Sequence, residues 1–241
     1  MFRSLFDKKK LVVLVGAVVA TAGAEPVAAA QFVDPAQYGL QIRHQVSAAT
    51  LDGFQLMVTE ANTTARSVPP LSGNPLSREG FVSSVAIGQV DGPPGASLGG
   101  ATLDIGVEVG VPWSLQNIGV DVYTPSIGVN GGVNAGVTVP LTLGTSPSIG
   151  ISPSVGASAG VTATVLPAQE VTFSVTPGSI TEKSIAKLSL TSQLVYLDLS
   201  DIHLSVDGAI GPVTARLYTK LTLATAAGNT ERTVYSDPIP L

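Results

Sequence analysis

Ile149-Gly150-Ile151-Ser152-Pro153-Ser154-Val155-Gly156-Ala157-Ser158-Ala159-Gly160-Val161-Thr162-Ala163-Thr164-Val165 is the stretch that decides how this chain folds. Its odd positions are apolar, proline included, and its even positions are glycine, serine or threonine. Successive side chains of a β-strand point to opposite faces, so the stretch presents one continuous apolar face and one small, hydroxyl-rich face. A soluble sheet normally puts charges on its wet face, yet no charged residue occurs between Asp121 and Glu170. Uncharged, apolar outside and polar inside is the pattern of a strand in a membrane-spanning barrel. The competing reading, a low-complexity Gly/Ser/Ala segment, leaves the regular alternation with β-branched residues on one face unexplained.

The rest of the 241-residue chain agrees with a β architecture. Mean hydropathy is +0.40 although the mature chain has no long apolar run, because the hydrophobicity is spread in alternation. With 26 glycines, 17 prolines and only 12% charged residues, the composition favours short strands and turns over helices. The expected class is all-β. Cysteine is absent, which excludes disulfides and thiol chemistry.

Residues 1–30 read as a secretory signal peptide. Arg3 and Lys8-Lys9-Lys10 make the basic region, Leu11 to Val19 the apolar region and Ala28-Ala29-Ala30 the small-residue cleavage site. The apolar run is shorter than the roughly 20 residues a membrane helix needs. Cleavage after Ala30 leaves 8 of the 12 basic and 15 of the 17 acidic residues, a net charge of −7. An acidic exported chain without a basic stripe is not expected to bind nucleic acid.

Residues 31–114 read as the first part of a soluble β-rich domain. Leu40, Ile42, His44 and Val46 alternate, as do Phe54, Leu56 and Val58, with Asp52-Gly53 as a hairpin turn between them. Leu103, Ile105, Val107, Val109 and Val111 alternate with Asp104, Gly106, Glu108 and Gly110, and Ile118, Val120 and Val122 with Asn117, Gly119 and Asp121. At Tyr123-Thr124-Pro125 the apolar phase slips by one, as at a bulge. Residues 115–166 read as the barrel-forming hairpin, with Asn130-Gly131-Gly132 and Gly144-Thr145-Ser146-Pro147 as alternative turns. From 167 to 241 charges return, and Val171–Val175, Leu188–Leu199, Ile202–Val206 and Val213–Leu223 read as antiparallel strands of a sandwich.

A single hairpin cannot cross a membrane alone, because its edge N–H and C=O groups would stay unpaired in lipid. Its strands must pair with copies from neighbouring subunits until the sheet closes into a ring, with the soluble parts forming a rim. A basic residue on the lipid face costs about 2–4 kcal/mol at mid-depth. No Lys or Arg occurs between residues 79 and 182. Ile149, Ile151, Val155, Val161 and Val165 are the expected lipid-facing set.

Catalysis is not expected. Gly156-Ala157-Ser158-Ala159-Gly160 matches a nucleophile-elbow pattern but lies in a uniform small-residue strand, without the strand–turn–helix context that pattern needs. His44 and His203, the only histidines, each sit in an alternating strand and read as packed or surface residues. No metal site or cofactor is expected: the histidines lack ligand spacing, and Asp198, Asp201 and Asp207 are spread over strands and turns. Trp113, the only tryptophan, fits either a membrane interface or a contact between subunits in the rim.

Asn74-Pro75-Leu76-Ser77-Arg78-Glu79-Gly80-Phe81, the run Leu103 to Leu115 with its Gly-Val-Pro-Trp-Ser-Leu end, Tyr123-Thr124-Pro125, Glu170 to Val175 and Thr233-Val234-Tyr235-Ser236-Asp237-Pro238 fall in an informative order. It is the order found in the MspA-type mycobacterial porins, which the chain resembles over most of its mature length. The resemblance implies a goblet-shaped octamer in the mycolic-acid outer membrane of an actinobacterium. Each subunit would give one hairpin to a 16-stranded barrel beneath a β-sandwich rim, passing small hydrophilic solutes and ions passively. A paralogous subunit could share the ring. The family's constriction carries adjacent aspartates; the matching positions here are Asn130 and Gly131, with Asn134 close by. A ring of amide and backbone dipoles predicts weaker cation preference, with Asp104, Glu108 and Asp121 left to attract cations in the vestibule and upper barrel. An exported cell-envelope sandwich with a structural or adhesive role is the alternative.

Overall fold

A computed structural model describes residues 32–241 apart from 94–95, 97–99, 115–117, 132–162, 167 and 191–192. For 127–131 and 163–166 it describes the backbone alone. After a 3-10 turn at Pro35–Tyr38 the strands are β1 (Ile42–Ala49), β2 (Gln55–Val68), β3 (Arg78–Asp91), β4 (Ala101–Val111), β5 (Ile118–Thr124), β6 (Ile127–Gly131) and β7 (Ala163–Leu166). There follow β8 (Gln169–Val175), β9 (Ser179–Leu190), β10 (Leu194–Asp207), β11 (Thr214–Thr225), β12 (Gly228–Tyr235) and β13 (Ile239–Pro240). No helix among the described residues is long and apolar enough to cross a membrane.

The strands form two antiparallel sheets packed face to face. Sheet A runs β1-β2-β3-β10-β5-β8, with β6 paired to β10 and β7 to β6. Sheet B runs β12-β11-β4-β9, with β13 on β11. The alternation read in the sequence builds the core between them. Leu103, Ile105, Val107 and Val109 of β4 are fully buried against Leu56 and Val58 of β2, Val120 and Val122 of β5, and Leu197 and Leu204 of β10. Burying each such side chain contributes about 1.5–3 kcal/mol. The sheets approach closely at Gly88, where an added Cβ would stand 3.0 Å from the Leu103 side chain and 3.4 Å from that of Leu221.

Both halves of the chain contribute to both sheets, so the sandwich is one domain, with its main core between the sheets and a smaller cluster around Ala61, Val85 and Ile87. Asp52-Gly53 turns β1 into β2 as expected, with Gly53 at φ +86 and the Phe54 amide bonded to Thr50 Oγ1 at 2.9 Å. Three readings need correction. Residues 118–124, expected in the hairpin, form β5 inside the sandwich, because Ile118, Val120 and Val122 are core residues. Leu188–Leu199 is two strands: the chain leaves sheet B at Leu190 and enters sheet A at Leu194. Asn130-Gly131 is not a turn. Both residues lie in β6, where Asn130 stands opposite Tyr196 of β10 and Ala163 of β7, and Gly131 opposite Val195.

The phase slip at Tyr123-Thr124-Pro125 has a cause that spans the sheet. β5 ends at Thr124 and β6 begins at Ile127, both paired to β10. Next to this break β10 bulges between Leu199 and Ile202, with Asp201 at φ 50. On the other side of β3, β2 bulges between Ala61 and Thr64, with Asn62 at φ 52. Ser83 and Ser84 of β3 lie beside both bulges, and Ser83 Oγ accepts the Asp201 amide at 2.9 Å. Pro125, which has no N–H to give a ladder, sits where the ladder is interrupted.

Candidate pore-facing surfaces

The three acids expected to attract cations lie on two different outer faces. Asp104 and Glu108 are on β4 of sheet B and Asp121 is on β5 of sheet A. Since Val107 and Val109 of β4 and Val120 and Val122 of β5 all point into the common core, alternation turns the acids away from it in opposite directions.

On sheet B the acids are matched by cations. Glu108 is buried, and its carboxylate takes a hydrogen bond from Arg216 Nε at 2.5 Å. The Arg216 guanidinium also covers the Tyr235 ring at 4.2 Å. Lys220 Nζ bonds Glu182 at 3.0 Å, which raises the Lys220 pKa. Asp104 accepts from Ser184 Oγ at 2.6 Å and stands in register with Lys220 on one side and Lys187 on the other. Tyr218 fills the centre of this face, fully buried over Gly106. Burial first, then the neighbouring Asp104 and Glu182, push its hydroxyl pKa far above the usual value. Opposite charges this close offset one another's field, so this face offers less net attraction to a passing cation than unpaired acids would.

On sheet A the outer face is a ladder. Arg66, Phe81, His203, Tyr123 and Glu170 stand opposite one another on β2, β3, β10, β5 and β8. The His203 ring stacks between Phe81 at 4.8 Å and Tyr123 at 5.5 Å, and Arg66 caps Phe81 at 4.2 Å. Stacked aromatic pairs contribute about 0.5–1.5 kcal/mol each beyond burial. His203 Nε2 lies 3.3 Å from Glu79, and Asp121 accepts from Thr172 Oγ1 at 2.7 Å in the adjacent row. A hydrogen bond to Glu170 raises the Tyr123 pKa. Glu79, Asp121, Glu170 and Asp207 thus share an outer face with Arg66 and His203, so this surface is acidic on balance where that of sheet B is neutralised.

The second histidine has a different setting. His44 on β1 stands opposite Glu60 on β2 and lies 3.5 Å from Asp237 near the C-terminus, tying the open side of sheet A to sheet B. Glu60 is buried; one carboxylate oxygen accepts from Thr63 and Ser84, and the other has no hydrogen-bond partner. Burial raises its pKa, against the pull of those hydroxyls and of His44. The sequence signal was a lone acid in the apolar run Leu56 to Ala61. The ladder and the Arg216 pair carried no such signal, since cross-strand register is not written in either strand alone.

Of the remaining candidates, Asn130 and Gly131 lie in β6 and Val165 in β7, while Asn134, Ile149, Ile151, Val155 and Val161 lie outside the described residues, as does Gly156 to Gly160. Trp113 is 74% exposed, its carbonyl accepting from the Ile210 amide. Among the described residues no group of His, Cys, Asp or Glu could hold a metal ion.

An all-β sandwich of two antiparallel sheets, in which β6 and β7 pair on either side of an uncharged segment, defines the class of fold. The MspA family model matches residues 52–240, and the chain belongs to that family. It is similar to porin MspD of Mycolicibacterium smegmatis (strain ATCC 700084 / mc(2)155), with 32% identity over 199 residues that cover 82% of this chain and 86% of that one. Porins of this family form oligomers.

Proposed function

We propose that the chain is one subunit of an oligomeric, water-filled channel for passive diffusion of small hydrophilic solutes and ions across a mycolic-acid outer membrane. The observation that carries this is the β6–β7 pair, whose ends Asn130 and Ala163 stand opposite each other while the uncharged segment runs between them. Residues 132–162 suffice for two membrane strands of about 9–11 residues and a turn. Continuing the β6–β7 register would turn the hairpin within Gly144-Thr145-Ser146-Pro147, the second of the two candidate turns.

That register also sets a condition. It pairs odd with even residues, Val129 with Thr164 and Asn130 with Ala163. Both arms alternate with apolar residues at odd positions. A one-residue bulge between the sandwich and the lipid is therefore required to bring Ile149, Ile151, Val155 and Val161 onto one lipid face with the odd positions of the first arm. Asn130 and Asn134 then face the throat where vestibule meets stem, with Gly131 between them on the outward phase, and Asp121 supplies the mild attraction for cations.

Stepwise conductance of detergent-extracted rings in planar bilayers tests the proposal. A mature protein that stays monomeric and gives no conductance steps overturns it.

A further inference from the structure

We propose that sheet A continues from one subunit into the next, with β1 of one copy pairing antiparallel to β8 of its neighbour. The inference rests on the channel reading above and names the seam by which copies join in the rim.

Among the described residues, β1 and β8 each have one neighbour in sheet A, so each presents a row of unpaired backbone groups. Monomeric proteins guard such edges with charged side chains, proline, bulges or a covering segment. Neither β1 nor β8 contains a lysine or a proline; Arg43 at the bulged start of β1, His44 and Glu170 at the start of β8 are their ionisable residues, and Ser47, Glu170, Thr172 and Ser174 are exposed. Gln45–Ala49 and Val171–Val175 thus leave an uncharged edge at each side of one sheet, a heterologous surface, which closes into a ring when the rotation allows it.

Strand polarity fits a second copy of this chain. Along β1-β2-β3-β10-β5-β8 every pairing is antiparallel. With an even number of alternating strands the two edges run in opposite directions. A neighbour brought round by rotation therefore sets its β1 antiparallel to β8, and the alternation passes unbroken from copy to copy.

The offset of the two edges is compatible with closure. Residues opposed across the seam must share a face, and Ser47 on β1, like Glu170 on β8, lies on the outward phase. Glu170 stands level with Phe81 of β3, through Tyr123 and His203, and Ser47 stands level with Gln89, through Met57. From Phe81 to Gln89 is about eight residues, or about 26 Å along the strands, while six strands span about 29 Å across them. Setting Ser47 opposite Glu170 thus tilts the strands by about 42°, within the 35–45° that closed barrels adopt.

The cysteine-free chain allows a clean test. Ser47→Cys is combined in turn with Glu170→Cys, Thr172→Cys and Ser174→Cys in the full-length protein, purified as the conducting oligomer and oxidised. Facing positions within disulfide reach, about 4.4–6.8 Å between Cα atoms, should give a ladder of covalent multimers in at least one double variant, and none in the single variants. If all three double variants conduct like the wild type but stay uncrosslinked, the seam is elsewhere and the channel reading stands. Failure of the wild type itself to conduct would instead overturn the channel reading.

Discussion

The ring of Tyr218 closes on Gly106 so tightly that a methyl group on that glycine would lie 2.5 Å from both its Cε1 and its hydroxyl oxygen. On its other side the same methyl would run into the Lys183 carbonyl. A backbone oxygen in a ladder cannot swing aside as a flexible side chain can. Gly106→Ala should therefore lower the stability of the rim by about 1–3 kcal/mol, the usual range for overpacking. Thermal or denaturant unfolding followed by circular dichroism reads it. An unchanged midpoint would mean that Tyr218 does not sit over Gly106.

Arg216 neutralises a carboxylate that is 8% exposed. Arg216→Met should leave Glu108 buried and unpaired, at a loss of about 1–3 kcal/mol. Adding Glu108→Gln to that variant should recover part of the loss, since the stranded charge is then gone. If the double variant is no more stable than the single one in denaturant melts, the pair is not what holds this face.

Glu60 sets a pH dependence. Burial raises its carboxyl pKa above the ordinary 4.5 of a glutamate. The unfolded chain ionises first, so the native state binds the extra proton and its stability falls as pH rises from about 4.5 through the raised value. Glu60→Gln cannot ionise and should flatten that decline, gaining on the wild type toward neutral pH. Parallel melting-temperature curves for the two proteins between pH 4 and 8 would rule the effect out.

Ion selectivity should depend on Asp121 and not on Asp104. Asp121→Asn removes a charge from the acidic face of sheet A, while Asp104→Asn acts on a face where Lys187 and Lys220 already stand opposite. Reversal potentials under a salt gradient should move toward zero for the first and stay put for the second. The reverse ranking would put sheet B on the lumen side.

Much of the rim was legible because alternation is a local signal. Leu103 to Val111 and Ile118 to Val122 announce their buried faces residue by residue, and Asp52-Gly53 announces its turn. What could not be read depends on partners. Asn130-Gly131 has turn chemistry, but pairing on both sides keeps it in a strand. Leu188 to Leu199 is apolar enough for one strand, yet the two sheets each need half of it. Asp104, Glu108 and Asp121 share an alternating pattern along the chain but point away from each other, because β4 and β5 enter different sheets. The phase slip was visible, whereas its origin in a line of bulges through β2 and β10 was not.

Asn130 and Ala163 form a register pair across β6 and β7, so their Cα atoms are about 4.5–5.5 Å apart. To the sandwich, everything between them is a loop whose ends already meet. The thirteen described strands and their core lie outside residues 132–162. The portion of the chain proposed to meet lipid is thus detachable in design terms: a two-residue Asn-Gly link in place of residues 131–162 would satisfy the same geometry. Such a shortened chain would be a detergent-free scaffold, in which the rim could be studied, crystallised or re-fitted with a different stem.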